Sequence, residues 1–306
     1  TITLKGNNIK MEFKQKLLEY QEIINKELEK NIIKQNCLEK TLNSSVEYSL
    51  LAGGKRLRPI LILASYELFK NDVEKCMPYP VALEMVHNFS LIHDDLPGID
   101  NDDFRHGKLT NHKQFNEATA ILAGDKLLNN SYKIISEDLL KTASEQELKI
   151  KMKIFNEFSV AIDKMIIGEY VDTEYEGKEI TAEDLDFIHE NKTGAFLILS
   201  VRIGAMLVNA SDKDLEKLTN YAKKIGLAFQ IKDDILSEEG NEKILGKPVG
   251  NDKKLKKCTY ISKYGLNKAK EILNQITEES INEISIYNEK AGFLKDLAKY
   301  VKDRDK

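Results

Sequence analysis

No proline occurs between Pro97 and Pro248, so the middle of the chain lacks the residue that most strongly interrupts helices. Apolar residues meanwhile recur at three- and four-residue spacing. Phe13, Leu17, Leu18, Ile24, Leu28, Ile32 and Ile33 are separated by Glu and Lys across residues 11–36, which predicts an amphipathic helix. The same period predicts helices over 59–69, 80–96, 118–140, 145–171, 182–207, 212–236, 265–276 and 291–301. Thr181 before Ala-Glu-Asp and Ser211 before Asp-Lys-Asp read as N-caps with acidic first turns. Few segments alternate with period two, and no repeat or long linker divides the 306 residues. The expectation is one all-α domain over 1–306, a single bundle of about ten or more helices around a central cavity. Gly53-Gly54, 101–110, Gly177 and 238–252 read as connecting loops.

Charge and cysteine usage narrow the function. Lys+Arg 46 against Asp+Glu 50 gives a net charge of −4, without the basic excess that nucleic acid or an anionic membrane surface would need. Cys37, Cys76 and Cys258 stand far apart with no C-x-x-C spacing, which fits a reducing cytoplasm. The longest nearly apolar run, 195–208, is short and holds Arg202, so no membrane span is expected.

Chemistry gathers where rare residues do. Five aspartates, Asp94, Asp95, Asp100, Asp102 and Asp103, lie at the predicted end of an apolar helix, where the helix dipole already places negative charge. Acidic residues there call for a bound cation, and oxygen-only ligands favour Mg²⁺ shared with substrate phosphates. Taken alone, the stretch also reads as a solvated acidic loop or a calcium site, although the sixth-position Gly and closing Glu of an EF-hand are absent. A second pair, Asp233-Asp234, ends another helical run, and two such pairs facing one another would make a cage for two or three divalent ions and a diphosphate. Lys192-Thr193-Gly194, Gln230 and Lys247 are available donors to phosphate oxygens. Gly53-Gly54-Lys55-Arg56-Leu57-Arg58-Pro59 combines glycine backbone, a helix start and cations into a metal-free phosphate site, or is a plain interhelix turn. Two of only five arginines in one turn weigh against the plain turn. Phe104-Arg105-His106-Gly107-Lys108 adds positive charge after the first acidic stretch.

Together these residues resemble the trans-polyprenyl diphosphate synthases, most closely the bacterial farnesyl diphosphate synthases. Leu91-Ile92-His93-Asp94-Asp95-Leu96-Pro97 through Asp100 is similar to the first aspartate-rich motif in its longer form. Phe229-Gln230-Ile231-Lys232-Asp233-Asp234 is similar to the second, and Gly54-Lys55-Arg56-Leu57-Arg58-Pro59, Thr110-Asn111-His112, Lys192-Thr193-Gly194 and Leu245-Gly246-Lys247 also match. The resemblance implies an all-α isoprenoid synthase fold, a homodimer, and Mg²⁺-dependent elongation of an allylic diphosphate by isopentenyl diphosphate. It further implies a catalytic set of Asp94, Asp95, Asp100, Arg105, Lys192, Asp233 and Asp234. Within that set, Asp94, Asp95, Asp100 and Asp233 face two to three Mg²⁺ ions. Arg105, Lys192, Thr193, Gln230 and Lys247 would hold the allylic diphosphate; Gly54, Lys55, Arg58, His87 and His106 would hold isopentenyl diphosphate. The chemistry needs no protein nucleophile. The allylic C–O bond ionises, the isopentenyl double bond attacks, and a proton passes to the released diphosphate, with charge stabilisation as the protein's task. Phe89 and Ser90, about one turn before Asp94 on the same helix, are expected to set chain length, an aromatic at Phe89 going with a C15 product.

Four positions depart from the family pattern. His106 stands for an arginine, exchanging a permanent cation for a group that titrates near pH ~6.5 when unperturbed. Ser237 replaces a third aspartate, Leu109 a proline, and Glu169 the glutamine after Gly168. They keep open a weakly catalytic or regulatory subunit of a prenyltransferase, and a geranylgeranyl synthase is the alternative in product length. A terpene cyclase or head-to-head synthase fits less well, since neither needs the Gly-Lys-Arg-Leu-Arg-Pro site.

Overall fold

The computed structural model describes residues 2–32, 38–178, 180–239 and 259–304. Their elements are almost all helical: α1 (Ile2–Lys30), α2 (Lys40–Leu50), α3 (Leu57–Glu67), α4 (Pro78–Asp94), α5 (Asn111–Gln114), α6 (Glu117–Lys141), α7 (Glu145–Glu174), α8 (Ala182–His189), α9 (Ala195–Leu207), α10 (Asp212–Glu239), α11 (Tyr260–Tyr264), α12 (Leu266–Glu283) and α13 (Gly292–Asp303). Among the described residues no helix is long and apolar enough to cross a membrane.

The chain divides into two compact units. One comprises Lys14–Leu63 and Asp72–Met152, and its core is α4 packed along α6. Val81, Leu83, Met85, Val86 and Ile92 of α4 and Ala120, Ala123, Leu127 and Ile135 of α6 are buried there. Small residues on α6, Ala120, Ala123 and Gly124, let the two backbones approach. Asn111 pins α5 to α2, donating to Ser45 O (2.9 Å) and Ser49 Oγ (2.8 Å) while accepting from Ser45 Oγ (2.7 Å). The turn from α6 to α7 closes on Lys151, whose ammonium meets Asp138 and Glu147 (both 2.9 Å) and Thr142 Oγ1 (3.0 Å). The buried Tyr79 donates to the same Asp138 (3.1 Å).

The other unit comprises Thr1–Phe13, Ala64–Asn71 and Lys153–Lys306, with α10 against α9, α12 and α13. Tyr221 is fully buried and donates to Leu294 O (2.7 Å), while Arg202 ties α9 to α7 through a two-pronged bond to Glu157 (2.6 and 2.7 Å). Thr181 caps α8 in a reciprocal box with Asp184, and Ser211 does the same for α10 with Asp214.

Three local features depart from the sequence expectation. The helix predicted over 182–207 is two helices joined by a π turn, Glu190–Gly194. The loop at 101–110 holds a hairpin, Phe104–Arg105 with Lys108–Leu109, turning on His106 (φ 51°) and Gly107 (φ 76°). Two successive left-handed residues make the tight turn whose twist suits antiparallel strands. Finally, α2 escaped the periodic reading because its buried face includes Asn43 and Ser45 as well as Val46 and Leu50.

Candidate active site

The loop before α3 turns through Gly53 (φ 101°) and Gly54 (φ 119°), conformations that side-chain-bearing residues rarely adopt. Arg56 then anchors it. Its buried guanidinium donates to Asn25 Oδ1 (3.0 Å), Glu84 Oε1 (2.6 Å) and Leu50 O (2.8 Å), so all its nitrogens serve the protein itself. Gln21 adds a bond to Lys55 O (3.1 Å). Arg58 has a different setting: its Nη1 donates to His87 Nε2 (3.1 Å), while its buried Nε has no partner. An imidazole accepting from a guanidinium must be neutral at that nitrogen. Burial, then the fields of Arg58, Arg105, Arg56 and His106, hold His87 well below the ordinary histidine range. Burial likewise lowers Arg58, against the pull of Glu84 and Asp94. The His106 ring stands over Gly54, where an added Cβ would be 3.8 Å from Nε2. Gly54, Arg58, His87, Arg105 and His106 are therefore gathered at one place.

At the end of α4 the expected acidic stretch folds back on itself. Asp100 N–H donates to Asp94 O (2.8 Å), and Asn101 N–H to Leu96 O (3.1 Å) with Asn101 left-handed (φ 51°). Asp95 is buried and takes Arg105 in a fork, Nε at 2.8–2.9 Å and Nη2 at 2.6 Å. Burial opposes the Arg105 charge, but Asp95, Asp94 and Asp102 outweigh it and raise the group above its ordinary value. One turn earlier, Ser90 Oγ bonds back to His87 O (2.9 Å), and the Phe89 ring lies edge-on to His93 (4.8 Å between centroids, 71°).

In the other unit the π turn presents Lys192 and Thr193. Lys192 Nζ lies between Asp172 (2.6 Å) and Glu169 (2.7 Å); burial opposes its charge, yet the two carboxylates raise it above the ordinary lysine range. The turn comes very close to α7: a Cβ on Gly168 would sit 2.4 Å from Lys192 N. Thr193 Oγ1 donates to Gln230 Oε1 (3.2 Å), and Gln230 Nε2 donates to His189 Nδ1 (3.1 Å). His189 therefore carries its proton on Nε2, a buried atom without a partner, and burial brings the ring down to about 4. Tyr260 stacks on it at 5.7 Å and donates to Asp186 (2.5 Å).

Gln230, Asp233 and Asp234 follow one another on α10. The buried Asp234 accepts from Tyr260 N–H (2.7 Å), whereas Asp233, partly exposed, meets Arg304 Nη2 (2.6 Å). Arg304 also donates to Phe229 O (3.0 Å) and stacks over that ring (4.0 Å). The sequence assigns no task to Arg304, Asp172 or Tyr260, and of the pair Arg56 and Arg58 the family resemblance gives a substrate role to Arg58 alone, without showing what Arg56 does. The scarcity of arginine is a signal that points to Arg304. Lys247, expected among the donors to the allylic diphosphate, lies outside the described residues, as does the basic run 253–257, which reads from sequence as a solvated loop or a lid.

Among the described residues no three His, Cys, Asp or Glu side chains converge as a preformed metal site. The donors present are carboxylates, Asp94 and Asp100 joined through the backbone bond in one unit and Asp233 on α10 of the other, each unit taken by itself. Oxygen-only donors of this kind fit Mg²⁺, which is commonly held by one or two carboxylates with water and substrate phosphate completing its shell.

Known proteins share this architecture. The structure of the geranyltransferase from Legionella pneumophila superposes with a TM-score of 0.84 at 29% identity, covering 97% of this chain and 98% of that one, and places the protein in the isoprenoid synthase fold. The farnesyl diphosphate synthase of Micrococcus luteus is 39% identical over 284 residues, 90% of this chain and 96% of the relative. The geranylgeranyl diphosphate synthase of Cyanophora paradoxa is 41% identical over 290 residues, 94% and 95% of the two chains. Residues 39–291 match the family described as Polyprenyl synthetase. The chain belongs to that family, and it is a transferase of prenyl groups.

Proposed function

We propose that the protein condenses isopentenyl diphosphate with dimethylallyl and geranyl diphosphate to (E,E)-farnesyl diphosphate. The observation that carries the C15 length is Phe89, a buried aromatic one turn before Asp94 whose ring is packed against His93. Similarity to the M. luteus enzyme supports the same length. A C20 product is the second reading, favoured by 41% identity to the C. paradoxa enzyme.

In this reading both clusters serve one reaction, as parts of a single catalytic domain over residues 1–306. Lys192, Arg105, Thr193 and Gln230 hold the allylic diphosphate, with Lys247 in the same set. The cations of this set, Lys192, Arg105 and Lys247, meet the charge that develops on the departing group. Gly54, Lys55, Arg58, His87 and His106 hold isopentenyl diphosphate; a neutral His87 steadies Arg58 without cancelling its charge. Mg²⁺, two or three ions at Asp94, Asp100 and Asp233, supplies Lewis-acid stabilisation of diphosphate charge when bound. Asp95, part of the expected metal set, has both oxygens on Arg105, so its role here is to orient that guanidinium, as Asp234 steadies the start of α11. A cytoplasmic homodimer completes the reading, supported by Ile121 and Leu122, which α6 leaves 43% and 55% exposed.

The test is to incubate purified protein with Mg²⁺, labelled isopentenyl diphosphate and either allylic starter, then size the dephosphorylated product. C15 is expected, and Phe89→Ala should shift it to C20 or longer. C20 from the unaltered protein would establish the second reading. No incorporation between pH ~6 and ~8.5, a span covering imidazole titration, would instead indicate a regulatory subunit.

A further inference from the structure

His93 is held by a residue on another helix. Its Nε2 lies 3.0 Å from Ile121 O of α6, and a carbonyl can only accept, so the proton is on Nε2. The ring fills a notch that exists because residue 124 is glycine: a Cβ there would lie 2.2 Å from Nε2, 2.5 Å from Cδ2 and 3.1 Å from Cε1. The first distance is more than 1 Å short of the 3.4 Å of ordinary contact, so any side chain at 124 must move the imidazole. On its other flank His93 meets the edge of Phe89, one turn earlier on α4. A contact chain therefore runs from the α6 backbone at Gly124, through His93, to Phe89.

We propose that Gly124 is a specificity-determining residue, fixing product length by seating His93 and thereby placing the Phe89 ring. The inference rests on the reading of Phe89 as the residue that limits the growing chain. Its physical basis is close packing: the partly exposed His93 ring is wedged between the α6 backbone and the edge of the buried Phe89 ring, so a shift forced at one face is passed to the ring touching the other. Filling the notch drives His93 toward Phe89 and shortens the space for the chain. Removing the imidazole opens space into which Phe89 retreats.

Three variants test this by product sizing at matched conversion. Gly124→Ala should raise the C10 to C15 ratio, and His93→Ala the C20 to C15 ratio, each on the order of tenfold, the scale of a methylene-sized change in an apolar pocket. The double variant should return toward C15, since the alanine methyl occupies the vacated notch. A merely structural role would lower yield or thermal stability without moving these ratios in opposite directions. If Gly124→Ala does not fold, His93→Ala with and without the second change carries the same comparison. Unchanged ratios in the single variants, or a double variant more altered than either, overturn the inference. Lengthening by Phe89→Ala alongside such a result would leave the functional reading intact. A wild-type protein that makes no prenyl diphosphate overturns both.

Discussion

Replacing Arg56 with methionine removes three hydrogen bonds and strands a buried carboxylate. Glu84 is only 3% exposed, and the guanidinium at 2.6 Å is its close cationic partner; Asn88 Nδ2 offers a long contact at 3.4 Å. Breaking one side of a buried ion pair costs about 3–5 kcal/mol, because the remaining charge is left in a poorly solvating interior. For a domain of this size each kcal/mol lowers the midpoint by roughly 2–4 °C, so a fall on the order of 10 °C is expected. Adding Glu84→Leu removes the stranded charge and should restore more than half of the loss. Thermal unfolding followed by circular dichroism measures both, and the KM for isopentenyl diphosphate measured well below the midpoint supplies the control. If Arg56 anchors the loop, stability falls first and the double variant recovers it. A midpoint within about 1 °C of wild type, together with a large rise in that KM, would show that Arg56 acts on substrate and would refute the assignment.

Gly168→Ala pushes the backbone at Lys192 by about 1 Å from its 2.4 Å approach, so stability should fall by about 1–3 kcal/mol. In the same variant kcat/KM for the allylic substrate should fall up to about 100-fold; full activity at an unchanged midpoint would contradict the close approach. Asp172→Asn leaves Lys192 with the Glu169 carboxylate alone, and its pKa should move down toward the ordinary lysine value, as ¹⁵N-detected titration of that ammonium would show. His87 and His189 both have native pKa values below the unfolded value of 6.5. The unfolded chain therefore takes up protons that the native state refuses. Stability should decline as pH falls from 6.5 toward 5, by up to about 1.4 kcal/mol per unit for each group. Unfolding midpoints at pH 7 and 5 check the sign, and a slope unchanged in His87→Gln and His189→Gln would assign the effect elsewhere.

Much of the helical scaffold could be read from the chain because the physics behind it is local. A 3.6-residue period and the lack of proline are properties of short windows, and α1, α4, α6, α7, α10, α12 and α13 all contain their expected cores. The exceptions have equally local causes. The hairpin strands are two residues each, too short for a period, and the π turn changes phase without any breaker residue. At the candidate site, the aspartate pairs announce themselves by density. Their partners do not: Arg304 is 71 positions from Asp233, and Arg56 and Arg58 differ only in what surrounds them once folded. Residue type supplied the inventory of charges, but three-dimensional proximity decides which arginine is structural and which stays open to a ligand.

The π turn between α8 and α9 carries one residue more than an α turn, so the flanking helices are out of phase by about 100°. What is constrained across 190–194 is thus a count more than a composition. Substitutions at Glu190 or Asn191 preserve the count, whereas deleting either would rewind the turn and rotate Lys192 and Thr193 away from Glu169, Asp172 and Gln230. In this stretch a missing residue should be more damaging than a wrong one, and a one-residue insertion elsewhere in α8 should not repair it.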